Sequence, residues 1–429
     1  MVATLGVGIS SESGRPGPFL PAVDMPRTSG RRAPRVALYS QGMVGFGHIR
    51  RNASIAYALR NSALQPSILM IAEAWQAGGL VLPSGVDCVT LPALRQEPDG
   101  GYNPRFLPDI SDEEIIALRT RVIRGALEVF EPDVLIVDCL PLGVAGELGP
   151  AIECLRRGMG TRFALGLRDV LYDNETVKRT WANRDNLDAI RNFYDAVWIY
   201  GDPNVFDPVR EYDLVEPVAE KAHYTGYLDQ RPRLDFAKAS AGPLMAQVPP
   251  GKLVLCVVGG GYDGLALAEA FLETDLPPGR IGLLLTGPLM PWEERKRIRR
   301  KAQWHPRIQV LDFVPDPTPL MERADRIISM GGYNTVCEEL SLEKHALIVP
   351  RVNPEPEQWI RAERLHDLGL VEMLHPDELS GRALTNWIAR DLGPPPDARS
   401  RIDLDGLTRI PALAAELLGP ATSEGSPVP

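Results

Sequence analysis

The sequence is poor in the features that mark several large protein classes. It has five cysteines, Cys88, Cys139, Cys154, Cys256 and Cys337, and no two of them form a C-x-x-C pair. That spacing offers neither a zinc ribbon nor a disulfide framework, so the thiols read as buried free cysteines of a reducing compartment. Positive charge is scarce as well: 46 Lys and Arg against 56 Asp and Glu give a net charge of -10. A general nucleic-acid binder needs a basic surface to neutralise phosphates, and this balance excludes one. The densest basic run, residues 295–301, follows Glu293 and Glu294 in a helical pattern and reads as a solvated face. No run of about 18 apolar residues suggests a membrane span. Residues 1–33 hold Gly, Ser, Pro and Arg without the apolar run of a signal peptide, and they read as a disordered tail. These absences lead us to expect a cytoplasmic protein, monomeric or homodimeric, with room for peripheral membrane contact.

What the chain does have is ordinary globular composition, 44% hydrophobic and 24% charged, which is enough for a sizeable core. Its length suits two domains. Apolar runs of strand length occupy residues 35–40, 66–72, 86–91, 132–138, 163–167 and 196–200. Helical patterns separate several of them, notably 49–59 and 111–130, the latter with Ser111 as N-cap and Glu114 at the capping-box position. The pattern restarts at 253–258 and continues through 281–286, 308–311, 326–329 and 346–350. Strands alternating with helices predict βαβ units, hence an α/β fold of two Rossmann-like domains facing a cleft. The boundary is expected between Tyr227 and Lys252, a stretch rich in Pro, Arg, Ala and Gly with no strand pattern. The domains are then 34–230 and 231–392, followed by a C-terminal helix and tail over 393–429. Residues 92–109 and 168–185 read as long irregular loops, the usual place for binding chemistry at strand ends.

Five segments carry candidate chemistry. Gly42-Met-Val-Gly-Phe-Gly-His48 joins a strand to a helix; its Gly45 and Gly47 allow close approach of a ligand, and His48 would face the crevice as a general base. A capping or satisfied core histidine is the competing reading. Asp138 ends a buried apolar strand, where it could orient His48 or simply cap the next helix. Asp169, after Arg168, follows another strand end and is a second base candidate. Gly259-Gly-Gly-Tyr-Asp-Gly264 lacks the Lys-Ser/Thr ending of a Walker A loop and the G-x-G-x-x-G spacing with its later acidic residue, yet it is a backbone nest suited to a diphosphate. Ser329-Met-Gly-Gly-Tyr-Asn-Thr335 opens a further helix, with Glu338 one turn in, placed for a ribose hydroxyl pair or as a helix-dipole glutamate. Residues 349–359 form a proline-stiffened loop with the polar arms Arg351, Asn353, Glu357 and Gln358.

Together these segments resemble the GT-B glycosyltransferases, and within them the MurG-type N-acetylglucosaminyltransferases. The run from Asp312-Phe-Val-Pro through Gly-Gly-Tyr-Asn-Thr-Val-Cys-Glu338 to Glu357-Gln358 follows that family's order and spacing, and the likeness covers about residues 35–375. The resemblance implies a nucleotide-sugar donor as co-substrate, with UDP the default, no other cofactor and no metal; no D-x-D motif stands near either glycine loop. It makes 34–230 the acceptor domain and 231–392 the donor domain. Gly260, Gly261 and Gly332 would border the diphosphate, Thr335 would open the phosphate-facing helix, Phe313 and Val314 would meet the nucleobase, Glu338 the ribose and Gln358 the donor sugar; Tyr262, Gly331, Asn334, Arg351 and Glu357 are further donor-binding candidates. Gly45, Gly47 and His48 match the family's glycine loop and its histidine, and Asp138 is similar to a strand-end aspartate of plant-type relatives; Arg50 and Arg168, outside the resemblance, are candidates beside them for the phosphate and acceptor. The first loop, GFGHIRR, departs from the MurG pattern and leaves Arg50 and Arg51 unexplained. The chain is more similar to MurG-like predicted glycosyltransferases with a GHIRRN-like opening. The expected reaction is inverting transfer to an acceptor that the sequence does not name. A nucleotide-sugar 2-epimerase, a non-catalytic nucleotide-sugar-binding protein and an NAD enzyme are the alternatives; the missing dinucleotide pattern weighs against the last.

Overall fold

The computed structural model describes residues 32–41, 47–73, 82–97, 101–181, 184–214, 217–246, 248–353 and 355–419. Gly45 and most of both terminal tails lie outside the described residues. The first sheet begins with β1 (Arg35–Ser40), β2 (Ser67–Ala72) and β3 (Val86–Thr90). A separate antiparallel hairpin follows, β4 (Leu94–Gln96) and β5 (Tyr102–Pro104). The sheet resumes with β6 (Val134–Asp138), β7 (Arg162–Arg168), β8 (Ala196–Tyr200) and β9 (Ala222–Tyr224), in the order β3-β2-β1-β6-β7-β8-β9. A second sheet holds β10 (Lys252–Val257), β11 (Arg280–Leu285), β12 (Ile308–Leu311), β13 (Arg326–Ser329), β14 (His345–Ile348) and β15 (Glu372–Met373), in the order β12-β11-β10-β13-β14-β15.

All pairs within both sheets are parallel. Each sheet winds outward from a central strand, β1 or β10, and then restarts on its other side. That creates a topological switch point beside β1 and another beside β10, where α/β folds open a crevice at the strand carboxyl ends. Every residue of β6 and of β8 is buried, which explains their uninterrupted apolar runs: helices cover both faces. The expected α/β fold of two Rossmann-like units is the fold observed.

The capping box is formed: Ser111 Oγ accepts from the Glu114 N–H at 3.2 Å, and Glu114 accepts from the Ser111 N–H at 2.9 Å. Two expectations need correction, and a third stretch gains detail. Residues 92–109 are not wholly irregular, because the β4–β5 hairpin lies there and buries Leu94 against Ile115 and Val144. Residues 168–185 hold the helix Asn174–Trp181 and the start of Arg184–Phe193. Among the described side chains they bury Val177, Ala189 and Ile190, and these stand between polar neighbours that leave the helical period faint in the sequence. The stretch between Tyr227 and Lys252 is mostly the helix Arg231–Met245, begun by Pro232 in its first turn.

The two halves share one apolar core. It runs from Ile49, Ala53 and Ile55 to Val336, Leu340 and Ala362 of the second half. The final helix, Gly406–Leu418, packs back against the helix Gly47–Arg60 and contributes Ile410 and Ala414 to that core.

Candidate active site

A cleft of about 360 Å³ opens where the carboxyl ends of the two sheets face each other. From the first half, Gln41, Gly47, His48, Arg50, Arg51 and Arg168 line it. His48 is the second residue of the helix Gly47–Arg60, directly beyond β1, and Asp138 ends the neighbouring strand β6. Sheet topology therefore sets the two side by side: His48 Nδ1 lies 2.7 Å from Asp138 Oδ2. Asp138 is only 1% exposed, and an isolated charge there would be costly. A second partner meets it, Arg51, whose Nη2 lies 2.6 and 2.7 Å from the two carboxylate oxygens. Burial alone would raise the Asp138 pKa, but Arg51 and His48 outweigh it and hold the carboxyl at about 2. The resulting carboxylate fixes the tautomer of the ring. Nδ1–H donates to it, and the Nε2 lone pair is left free. Burial also pushes the His48 pKa below its ordinary value, with Asp138 opposing and Arg51 and Arg168 assisting. The imidazole is neutral at neutral pH and ready to accept a proton.

The second half supplies two glycine turns. Gly260, Gly261 and Tyr262 line the cleft after β10, and Tyr262 stands 75% exposed. Gly261 has φ +91, and a Cβ there would collide with the Thr286 carbonyl oxygen, so only glycine fits. Gly332, Asn334 and Thr335 line the cleft at the start of the helix Tyr333–Ser341. Gly331 does not. It backs the turn at φ +74, its carbonyl accepting from Arg361 at 3.1 Å. Asn334 Nδ2 donates to the Gly47 carbonyl at 2.7 Å and ties this turn to the first half.

Phe313 and Val314 lie along the cleft, as do Arg351, Glu357 and Gln358. Arg351 pairs with Asp263 at 3.0 Å and with Glu357 at 2.6 Å, and its backbone N–H donates to Gln358 Oε1 at 2.9 Å. Glu357 Oε2 is buried without a partner. Arg168 donates to the Leu171 carbonyl at 3.2 Å and lines the cleft beside His48.

Two candidates are placed otherwise than the sequence suggested. Asp169 is not exposed to the cleft. It is fully buried, it takes Arg361 at 2.8 to 3.0 Å on both oxygens, and Tyr227 donates to it at 2.9 Å. A carboxylate so occupied is a structural ion pair and not a base. Glu338 is likewise fully buried and absent from the cleft lining; Arg50 and Thr318 both donate to its Oε1, leaving Oε2 without a partner. Residues not anticipated there are Gln41, Tyr172, Asp263 and Glu355. Arg51 was legible as position i+3 from His48 on one helix face, which is where side chains meet.

Residues 254–405 match the model of the glycosyltransferase family 28 C-terminal domain. The likeness to that family lies in this second half of the chain. No curated protein sequence matches the chain. Solved structures match its fold along most of its length. MurG from Acinetobacter baumannii is 16% identical, with a TM-score of 0.50 over 89% of this chain and 99% of that one. The glycosyltransferase of kitacinnamycin is 17% identical, with a TM-score of 0.55 over 90% and 100%. The UDP-GlcNAc 2-epimerase of Methanocaldococcus jannaschii is 12% identical, with a TM-score of 0.58 over 89% and 99%. At such identities the likeness shows the fold, GT-B. The match to that glycosyltransferase domain, on a GT-B fold, makes the chain a glycosyltransferase.

Proposed function

We propose that this glycosyltransferase moves a sugar from a nucleotide-sugar, UDP by default, to an acceptor bound against the first half, inverting the anomeric centre. The observation that carries the reading is the His48–Asp138 pair, its carboxylate buried and its imidazole at the cleft, facing two glycine turns that open helices. His48 Nε2 takes the acceptor hydroxyl proton as that oxygen attacks the anomeric carbon. The bond from this carbon to the diphosphate breaks, and its electron pair leaves with the diphosphate. Backbone N–H groups at the start of the helix Tyr333–Ser341 and in the turn of Gly260 and Gly261 meet the departing charge, a stabilisation that needs no metal. Asp138 stabilises the imidazolium so formed.

Phe313 and Val314 would flank the nucleobase. The unpartnered Glu357 Oε2, with Arg351 and Gln358, suits the sugar hydroxyls. Glu338 would reach the ribose once Arg50 turns away from it.

His48→Ala should lower the rate of transfer by about 10²–10⁴-fold while nucleotide binding persists. An unchanged rate would remove His48 from the mechanism. One observation favours a second reading: Asp263, Glu355 and Glu357 gather around Arg351, as carboxylates would in an epimerase. Epimerised nucleotide-sugar formed without any acceptor would support it.

A further inference from the structure

The family resemblance gives Arg51 no role, although it touches both members of the proposed base pair. It lies one turn after His48 on the same helix and is only 3% exposed. Its Nη2 meets both oxygens of Asp138 at 2.6 and 2.7 Å and lies 3.0 Å from His48 Nδ1. The rings of Tyr200 and Tyr333, at 6.0 and 5.5 Å, flank the guanidinium. Tyr200 comes from β8 and Tyr333 from the second half, so both parts of the fold hold it in place.

A buried carboxylate whose single partner was the imidazole would stabilise the imidazolium strongly. A base that begins protonated cannot accept the acceptor's proton. In this site the negative charge of Asp138 is shared with a guanidinium, and the two together are neutral. His48 thus meets an orienting hydrogen-bond acceptor rather than an uncompensated anion.

We propose that Arg51 is a positioning residue: it neutralises Asp138, so that the carboxylate can orient the His48 ring without drawing a proton onto it. The proposal rests on the reading of His48 as the base. The other groups that face this cluster agree with it. Arg168, at the end of β7, adds a further positive charge against the imidazolium. Burial pushes the Cys139 thiol and the Tyr200 and Tyr333 hydroxyls up, and Cys139 with burial does the same to Tyr172, so these groups stay uncharged. Segment 42–46 carries no titratable side chain in its sequence.

The test is a proton NMR titration of the His48 ring in the substrate-free full chain, compared among variants. Arg51→Met should raise the His48 pKa by about 1–3 units, the usual effect of an uncompensated neighbouring carboxylate. Arg51→Lys, which keeps the charge, should move it far less. The double variant Arg51→Met/Asp138→Asn should bring it back toward the wild-type value. The acid limb of kcat/KM for transfer should follow the same shifts. If Arg51→Met fails to fold, Arg51→Gln, which keeps a hydrogen-bond donor beside Asp138 without the charge, decides by the same rise in the His48 pKa. Equal His48 values with and without Arg51, or a fall on its removal, would overturn the proposal. A purely structural role would lower kcat and leave the titration unmoved. Because the titration needs no substrate, its result is separate from whether the chain transfers sugar.

Discussion

Glu339 follows Glu338 in the helix Tyr333–Ser341, and both carboxyls are buried. Burial pushes the Glu339 pKa up to about 8, with the Ser329 hydroxyl opposing the rise and Glu338 adding to it. The folded protein therefore holds a proton that the unfolded chain releases near the ordinary value of 4.5. Stability from this group is complete below that value and is lost as pH rises to about 8, at about 1.4 kcal/mol per pH unit. Glu339→Gln should remove that slope. Thermal or chemical denaturation at about pH 5 and about pH 8 checks it: the wild type should lose more stability over the interval than the variant, and equal losses would contradict the account. At this scale His48 and Asp138 were legible, because a glycine loop and a strand end fix where they project. The seclusion of Glu338 was not, since its ion pair comes from Arg50, 288 residues away in sequence.

At the scale of elements, the two glycine turns are set by local backbone. The run after β10 was legible because consecutive glycines between a strand and a helix have few other uses. Gly261→Ala would force a Cβ against the Thr286 carbonyl at a left-handed φ. The turn must then rearrange, at a cost of about 1–3 kcal/mol, and the nucleotide should bind correspondingly more weakly. Calorimetry on the folded variant measures this, and an unchanged affinity would detach the turn from the donor. The β4–β5 hairpin and the helix Arg231–Met245 were not legible. The hairpin strands have three residues each, too few to show alternation. The helix carries Pro232 and Pro243, which interrupt its helical pattern in the sequence.

Contacts between distant segments join the whole molecule. Arg361 meets Asp169 across 192 residues, Arg233 meets Asp316 at 2.7 Å and the Arg50 carbonyl at 3.2 Å, and Asn334 meets Gly47. Two sheets facing a cleft could be read from strand order in the sequence, whereas these pairings could not, because nothing local specifies a partner so far along the chain. The Asp169–Arg361 pair is fully buried, so Arg361→Met should leave an uncompensated carboxylate and cost about 3–5 kcal/mol of stability. Denaturant unfolding checks this, and a loss below about 1 kcal/mol would mean that the pair contributes little beyond a surface bridge.

We propose that the cleft binds a nucleotide-sugar through its two glycine turns and presents it to His48. The most direct test is calorimetric titration of the full chain with UDP, GDP, ADP and TDP and their sugar conjugates, repeated on Gly261→Ala and His48→Ala. The account predicts that one nucleotide class binds, that Gly261→Ala weakens it, and that His48→Ala retains it. Absence of binding by every nucleotide, or binding indifferent to Gly261→Ala, would contradict the account.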